Sequence, residues 1–293
     1  MICNACPRSC NVERTEQLPA KGFCRMPYSP FIARAALHRW EEPCISGYRG
    51  SGTVFFSGCS LRCVFCQNEQ ISRNPFGKHT DKETFIEYIK QLEEMGAHNI
   101  NLVNPTHFVP FIKEALTAYK PSIPVVYNTG GYDKVESLRE LEGLIDIYLP
   151  DIKYVDPAVS KKYSGVENYF EYASKAVLEM YRQVGDCVFD DEGILQKGIL
   201  IRHLVLPLNT EQSFKVIDFV AENFPDDVCM SLMSQYTPMK KYTQYKELNR
   251  RLTTYEYEKV LDYFRKKGLH NAYIQQINSA DKGYIPDFCN FGI

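Results

Sequence analysis

The stretch that decides the fold is Gly58-Cys59-Ser60-Leu61-Arg62-Cys63-Val64-Phe65-Cys66-Gln67-Asn68, in which three cysteines follow the spacing Cys-x3-Cys-x2-Cys. Thiolates are soft ligands that suit iron–sulfur clusters and zinc. A cubane 4Fe–4S cluster normally takes four cysteines, so a set of three leaves one iron free to hold a substrate or cofactor. The spacing therefore indicates a cluster that takes part in chemistry.

The alternative for Cys59, Cys63 and Cys66 is a structural zinc knot or a set of buried thiols. Structural zinc usually takes four protein ligands in a closed site, and no fourth ligand stands nearby in the sequence. The β-branched and aromatic run Thr53–Ser57 predicts a strand that ends at Gly58. A cysteine loop that directly follows a strand favours the catalytic cluster.

Strand and helix patterns alternate from Thr53 onward. Strands are predicted at Thr53–Ser57, Asn99–Val103, Pro124–Tyr127, Leu144–Leu149, Ile199–Leu206 and Val228–Gln235, and a terminal strand at Ala272–Gln276. Helices are predicted at Glu83–Met95, Phe108–Tyr119, Val135–Leu141, Tyr169–Val184, Glu211–Asn223 and Tyr255–Lys267, and a hairpin at Cys187–Gly198. Such alternation indicates parallel strands joined by right-handed crossovers. We predict an α/β fold, a partial (β/α)6 open barrel over residues 51–293.

Chemically active side chains follow the predicted strands at their carboxyl ends. Cys59 follows the first strand, Asn104 the second, Asn128 the third and Asp151 the fourth, and Gln235 and Tyr236 close the sixth. In α/β barrels the chemistry gathers at this end. The positions of the motifs and the order of the predicted strands therefore both indicate a single site at this end of the barrel.

These motifs resemble those of the radical S-adenosylmethionine (SAM) enzymes. The run Cys66-Gln67-Asn68 resembles the Cys-His-Asn of the pyruvate formate-lyase activating enzymes, Asp151-Ile152-Lys153 resembles their Asp-x-Lys element, and Ile201–Pro207 resembles their later strand that ends in Val-Pro. With its Cys-rich head, the whole chain is similar to uncharacterised relatives of those enzymes. The resemblance implies a 4Fe–4S cluster on Cys59, Cys63 and Cys66 whose open iron chelates SAM. It also implies a set of SAM-binding residues: Phe65, Asn68, Asn104, Asn128, Asp151, Lys153, Arg202, Gln235 and Tyr236.

Three motifs depart from the pattern of the activating enzymes. Their Gly-Gly-Glu, which receives the SAM amino group, is replaced by Asn101-Leu102-Val103-Asn104-Pro105-Thr106-His107, so Asn104, Thr106 or a backbone carbonyl is expected to accept that group. Their Asp-Thr-Asn-Gly is replaced by Asn128-Thr129-Gly130-Gly131, and their Pro-Tyr-His by Ser234-Gln235-Tyr236. The identity of the substrate does not carry over.

Several polar residues have a structural and a functional interpretation. Asp151 and Lys153 face the same side of an extended backbone; they bind SAM or form an ion pair of little consequence. Arg202 lies in an apolar strand and needs a partner there, either Asp151 or the SAM carboxylate. We expect His203 to be packed or hydrogen-bonded. For the Thr106-His107 pair two interpretations stay open: His107 faces SAM or the substrate, or Thr106 caps the start of a helix.

Residues 1–50 form an irregular, Cys-rich extension. Cys3, Cys6, Cys10 and Cys24 predict a second metal site, with Cys44 as a further candidate. Cys6-Pro7 resembles cluster-binding runs, whereas Cys-x2-Cys also suits zinc, so an iron–sulfur cluster, a single iron and zinc all stay open. We expect Cys187, Cys229 and Cys289 to be isolated thiols.

Composition limits the partners. The formal net charge is −2, with acidic and basic residues interspersed, which argues against nucleic acid and against a basic membrane-binding face. The N-terminus has no signal region and no apolar run approaches a membrane span, so we expect a cytoplasmic protein. Eleven cysteines in such a protein favour metal ligation over disulfides.

The expected activity is the reductive cleavage of SAM to a 5′-deoxyadenosyl radical that takes hydrogen from a protein or peptide, as in the activation of glycyl-radical enzymes. A low-potential donor of the flavodoxin or ferredoxin type is the expected electron source. Two alternatives stay open: radical modification of a small molecule, and an electron-transfer or metal-sensing protein that uses its clusters without SAM.

Overall fold

The computed structural model describes residues 2–17, 20–276 and 286–293. In this part of the chain all six predicted barrel strands form. They are β2 (Ser51–Phe56), β4 (Ile100–Val103), β5 (Val125–Thr129), β6 (Ile147–Pro150), β8 (Leu195–Leu204) and β9 (Cys229–Met233). Each pairs in parallel with the next along the chain. The other strands are β1 (Phe31–His38), β3 (Lys78–His79), β7 (Val188–Phe189) and β10 (Ala272–Ile274).

Helices cross over between these strands. The longer ones are α3 (Lys82–Glu94), α4 (Val109–Ala118), α6 (Pro157–Ser164), α7 (Tyr169–Val184), α8 (Thr210–Asn223) and α9 (Thr254–Lys266). The short ones are α1 (Pro43–Ser46), α2 (Glu69–Ser72) and α5 (Val135–Arg139), with 3-10 turns at Thr106–Phe108 and Lys246–Asn249. The start of α3 is fixed by Asp81, whose side chain accepts a 2.8 Å hydrogen bond from the Thr84 backbone.

The sheet is open, as predicted. Its strand order is β10-β9-β8-β6-β5-β4-β2-β1-β3, with β7 pairing with β8 as the predicted hairpin. Helix residues such as Ile89, Ile112 and Val177 are fully buried in the same core as strand residues. This packing confirms the α/β assignment and leaves the carboxyl ends of the strands open.

The expectation that residues 1–50 are irregular is wrong for β1. Residues 31–38 pair antiparallel with β2 and extend the barrel sheet beyond its first strand. The sequence Phe-Ile-Ala-Arg-Ala-Ala-Leu-His lacks the β-branched alternation that marks a strand. Backbone pairing with β2 makes this segment a strand, and its residues Ile32 and Ala35 are buried. The division of the chain at residue 50 stays a prediction.

Candidate functional site

The carboxyl ends of the barrel strands open onto one pocket that encloses about 1610 Å³, part of it continuous with solvent. The three predicted cluster ligands and all nine predicted SAM-binding residues line it: Cys59, Cys63, Cys66, Phe65, Asn68, Asn104, Asn128, Asp151, Lys153, Arg202, Gln235 and Tyr236. The cysteines and the predicted SAM-binding residues therefore share one open pocket.

The cysteine loop follows β2. Burial, and after it the charges of the neighbouring thiols, raises the pKa of Cys59 and raises the pKa of Cys66 to about 12. The Cys63 sulfur lies 2.9 Å from the hydroxyl oxygen of Ser164 on α6. Thiolates in so buried a place need a positive charge beside them, which a bound metal supplies.

Gly58 brings the start of this loop against the extension. Its φ is +80°, and a Cβ there would lie 2.5 Å from Met26 and 3.1 Å from the Cys24 carbonyl oxygen. A side chain at this position is thus disfavoured by backbone conformation and by contact. Arg8 of the extension also holds the cysteine loop, because its Nε donates a 2.7 Å hydrogen bond to the Ser60 carbonyl oxygen.

A charged network follows β6. Lys153 Nζ lies 2.6 Å from Asp151 Oδ2, and Arg202 Nε lies 3.1 Å from Asp151 Oδ1. Burial opposes the Asp151 carboxylate, but Lys153 and Arg202 outweigh it, so the pKa of Asp151 is lowered. Burial likewise opposes the Lys153 ammonium, yet the Asp151 charge raises its pKa. The pair is therefore a partly buried, ionised element of the pocket and not an exposed surface bridge.

Arg202 donates from all three guanidinium nitrogens. Besides Asp151, it donates to Glu41 Oε2 at 3.0 Å through NH1 and to Asn128 Oδ1 at 2.6 Å through NH2. The prediction of a partner for Arg202 within the barrel is borne out by these contacts. Sequence reasoning missed Glu41, because it precedes the barrel and no motif marks it.

Aromatic side chains form one wall. Phe65 packs edge to face against Tyr154, Tyr163 and Tyr236, with ring centroids 5.9 to 6.5 Å apart. The Tyr236 hydroxyl donates to the Leu248 carbonyl oxygen at 2.7 Å, which fixes its ring. Such a wall suits the flat face of a nucleobase.

The two candidate histidines do not line the pocket. His203 is buried, with its ring nitrogens 2.7 Å from the Ile152 carbonyl oxygen and 2.8 Å from Ser213 Oγ, as expected of a packed histidine. His107 Nε2 lies 2.8 Å from the Ser57 carbonyl oxygen. Thr106 does line the pocket, and its hydroxyl lies 3.1 Å from that of Thr129.

In the extension, Cys3, Cys6, Cys10 and Cys24 fold near one another. A Cβ at Gly22 would lie 4.0 Å from the sulfurs of both Cys10 and Cys24, and the charges of Cys24, Cys3 and Cys10 act on Cys6. Within residues 2–17, 20–276 and 286–293, no three His, Cys, Asp or Glu side chains stand in the arrangement of a metal-ion site.

Cys44 lies elsewhere, in a cluster with Cys187, Cys229 and Tyr273. The Cys187 thiol donates to the Ile199 carbonyl oxygen at 3.1 Å, and Asn271 Nδ2 donates to the Cys229 sulfur at 3.0 Å. The expectation that Cys187 and Cys229 are isolated thiols is therefore wrong. They are 42 positions apart in the sequence, and the pairing of β8 with β7 on one side and β9 on the other brings them together.

Comparison with known proteins agrees with this geometry. The sequence profile of the radical SAM superfamily matches residues 53–220, which span β2 to α8 and thus the cysteine loop, Asp151 and Arg202. The chain belongs to the radical SAM superfamily.

One relative and two solved structures are similar to this radical SAM protein over three quarters of the chain or more. It is 32% identical over 280 residues to the uncharacterised protein MJ0674 of Methanocaldococcus jannaschii, covering 92% of this chain and 76% of that protein. Structures of Streptococcus suis SuiB bound to the precursor peptide SuiA and bound to SAM align with TM-scores of 0.53 and 0.52, at 16% and 17% identity. Each covers 75% of this chain, which spans about half of SuiB (47% and 48%). At that identity, SuiB shares the fold.

Membership makes the protein an enzyme of the radical SAM kind, in a family that uses a 4Fe–4S cluster and SAM. The residues present fit those groups. Cys63 is buried and Cys59 and Cys66 are partly buried in the pocket lining, and the buried Asn68 side-chain oxygen has no hydrogen-bond partner among the described residues. No helix in the described ranges of this radical SAM protein is both long and apolar enough to span a bilayer.

Proposed function

We propose that this radical SAM enzyme cleaves SAM reductively and uses the resulting 5′-deoxyadenosyl radical to take a hydrogen atom from a protein or peptide. The observation that carries the proposal is that Cys59, Cys63 and Cys66 share one pocket with the Asp151–Lys153–Arg202 network. A polar, charged network beside three thiols suits a charged cofactor that must meet an iron–sulfur cluster.

Cys59, Cys63 and Cys66 would hold the cluster, which when bound would supply the one electron that splits the SAM sulfonium into methionine and the 5′-deoxyadenosyl radical. The chain's own residues bind and orient. Lys153 is the expected partner of the SAM carboxylate, and Asp151 can accept from a ribose hydroxyl. Phe65 and Tyr236 provide the aromatic face for adenine. Fixed positions of this kind lower the entropic cost of the reaction.

A macromolecular substrate is supported by the shape of the site. The pocket is continuous with solvent, and Trp40 at its lining is 58% exposed. SuiB, which shares the fold, has been solved with a precursor peptide. The resemblance to activating enzymes favours the glycine of a glycyl-radical enzyme as one such substrate, with radical modification of a small molecule as the competing outcome.

The decisive experiment is anaerobic incubation of the reconstituted enzyme with SAM and dithionite. We expect release of 5′-deoxyadenosine and methionine, and no release from Cys63→Ala. If a fully reconstituted, reducible cluster binds no SAM and releases neither product, the chain is an electron-transfer or metal-sensing protein. With SAM cleavage established, deuterium transfer from labelled peptides or small molecules into 5′-deoxyadenosine identifies the substrate class.

We also propose a metal centre on Cys3, Cys6, Cys10 and Cys24. Its support is the grouping of four cysteines in a segment of which Cys3, Cys6 and Cys24 are buried. Metal analysis of Cys6→Ala should show loss of the extension metal with the cluster of Cys63 retained; loss of both would mean that the sites depend on each other. Iron or zinc content identifies the metal. A flavodoxin or ferredoxin is the proposed electron donor, and reduction by each can be compared directly.

A further inference from the structure

Two hydroxyl groups lie beside the sulfur of Cys63, the middle cysteine of the loop. Ser164, the last residue of α6, has its Oγ 2.9 Å from the Cys63 sulfur. The Tyr154 hydroxyl is hydrogen-bonded to Ser164 Oγ and lies 3.9 Å from the same sulfur. Cys63 is 7% exposed, Ser164 3% and Tyr154 1%. The two hydroxyls and the sulfur therefore form a chain of polar groups that is shielded from solvent.

Backbone and ring contacts hold this chain in place. In the cysteine loop, the backbone nitrogen of Val64 donates a 2.9 Å hydrogen bond to the carbonyl oxygen of Tyr163, the residue before Ser164. The ring of Tyr154 packs edge to face against that of Tyr169, with centroids 5.2 Å apart. The end of α6 and the cysteine loop thus keep a fixed distance, and the Ser164 hydroxyl is positioned at the sulfur by the fold itself.

The number of hydrogens fixes the direction of both hydrogen bonds once Cys63 ligates a metal. A metal-bound cysteine is a thiolate, so its sulfur can only accept. The Ser164 hydroxyl has one hydrogen, which then goes to the sulfur, and Ser164 Oγ accepts the hydrogen of Tyr154. The order of donation is therefore Tyr154 to Ser164 to Cys63.

Donation to a ligand sulfur favours the reduced form of an iron–sulfur cluster. The hydrogen bond withdraws electron density from the sulfur, and it is stronger after reduction has added a negative charge to the cluster. Burial increases this difference, because hydrogen bonds are electrostatically stronger at low dielectric and linked bonds polarise one another. Two neutral, buried hydroxyls in series consequently lower the free energy of the reduced cluster relative to that of the oxidised one.

We propose that Tyr154 and Ser164 form a hydrogen-bond relay to Cys63 that raises the reduction potential of the cluster. This rests on the function proposed above, in which Cys63 is a cluster ligand. Tyr154 directly follows Lys153 in the sequence, and Ser164 ends the helix that comes next. A single crossover therefore supplies both the charged pair of the pocket and the hydroxyls that make the cluster easier to reduce.

The test is an anaerobic redox titration of the reconstituted protein without SAM, followed by electron paramagnetic resonance of the reduced cluster. The relevant signal is the one that Cys63→Ala loses. For Ser164→Ala we expect the ratio of reduced to oxidised cluster at a fixed potential to fall about tenfold, which for one electron is a shift of about 59 mV to lower potential. Ser164→Thr keeps a hydroxyl and should retain the wild-type potential. An unchanged potential in Ser164→Ala would overturn the proposal.

Ser160→Ala is the matched control. Ser160 lies one turn earlier on α6 and is 1% exposed, but its hydroxyl donates to the Val166 carbonyl oxygen at 2.8 Å. The substitution removes a buried hydroxyl from the same helix and leaves the hydrogen bond to the Cys63 sulfur intact. We therefore expect the wild-type potential. Equal shifts in Ser160→Ala and Ser164→Ala would show that only the packing of α6 acts on the cluster, and would overturn the relay.

Tyr154→Phe tests the outer donor. It keeps the aromatic ring and the Ser164 hydroxyl, so the potential should fall in the same direction but by less than in Ser164→Ala. If Ser164→Ala assembles no cluster, this variant decides, and an unchanged potential in it overturns the relay. Persistence of every cluster signal in Cys63→Ala would instead reject the ligand set of the proposed function. Loss of a signal there, with no shift in either hydroxyl variant, would reject the relay alone.

Discussion

The side-chain amide of Asn104 donates a 2.6 Å hydrogen bond to the backbone carbonyl of Gly58, the residue before the first cysteine of the loop. Asn104 adopts a left-handed conformation, with φ +61°, and its backbone nitrogen donates to the Asn128 carbonyl oxygen at 2.8 Å. The end of β4 therefore holds the end of β2 and the end of β5 together at one point. Asn104 positions the cysteine loop from the strand beside it.

Replacing Asn104 by glycine should weaken the cysteine loop. Asn104→Gly keeps the left-handed backbone but leaves the Gly58 carbonyl without its partner, which costs about 1–3 kcal/mol. We expect a lower unfolding free energy in urea and less iron retained per chain after gel filtration. Asn104→Ala should cost about 1–2 kcal/mol more, because alanine also strains the left-handed backbone. Full iron retention in both variants would contradict this role.

Gly131 should be intolerant of any side chain. Its φ is +80°, and a Cβ would lie 2.2 Å from the Asp151 carbonyl oxygen. Gly143 has nearly the same φ, +79°, with nothing within 4 Å, so Gly143→Ala measures backbone strain alone. We expect Gly143→Ala to cost about 1 kcal/mol and Gly131→Ala clearly more, as measured by thermal unfolding. Equal losses would show that the contact at Gly131 relaxes freely.

Stability should depend on pH through His203. Burial lowers its pKa from 6.5 to about 4, so between these values the unfolded chain binds a proton that the folded protein does not. The unfolding free energy should therefore fall as the pH drops from 6.5 to 4, by about 3 kcal/mol for this group. Urea titrations of the metal-free protein at several pH values measure the slope. His203→Gln should show a smaller slope over this range, and an identical slope would refute the assignment.

Cys187 and Cys229 should form a disulfide on mild oxidation. Their side chains lie in one packed cluster, so one oxidised glutathione can take their two hydrogens by thiol–disulfide exchange and leave two reduced glutathiones. Anaerobic treatment followed by peptide mass spectrometry should reveal the linked peptides. Cys187→Ser should instead give a mixed disulfide at most. Modification confined to the exposed Cys289 would contradict the prediction.

Much of the barrel could be predicted because its signals are local. The runs around β2, β5 and β6 are apolar and β-branched, and helices α3 and α7 carry apolar residues at helical spacing, so periodicity identifies them. The sequence did not predict strand β1, because alanine and arginine have little strand preference. This segment forms a strand through its pairing with β2. Helix α6 was missed for a similar reason, being short and polar in sequence.

The residues of the candidate site likewise include some that the sequence predicts and some that it does not. Asp151 and Lys153 could be predicted because they follow a strand at fixed spacing and every parallel strand delivers its carboxyl end to the same edge of the sheet. Glu41 could not, because its contacts with Asn128 and Arg202 span 87 and 161 positions. No local pattern marks contacts that only folding creates.

The sequence by itself determined the cysteine loop, the alternation of strands and helices, and the strand ends that surround the pocket, because these depend on residues close together in the chain. Only the tertiary structure decided that Glu41 completes the pocket, that Asn104 anchors Gly58, and that Cys187 meets Cys229. Each of these contacts joins distant segments, and it forms only when burial of the shared core brings those segments together.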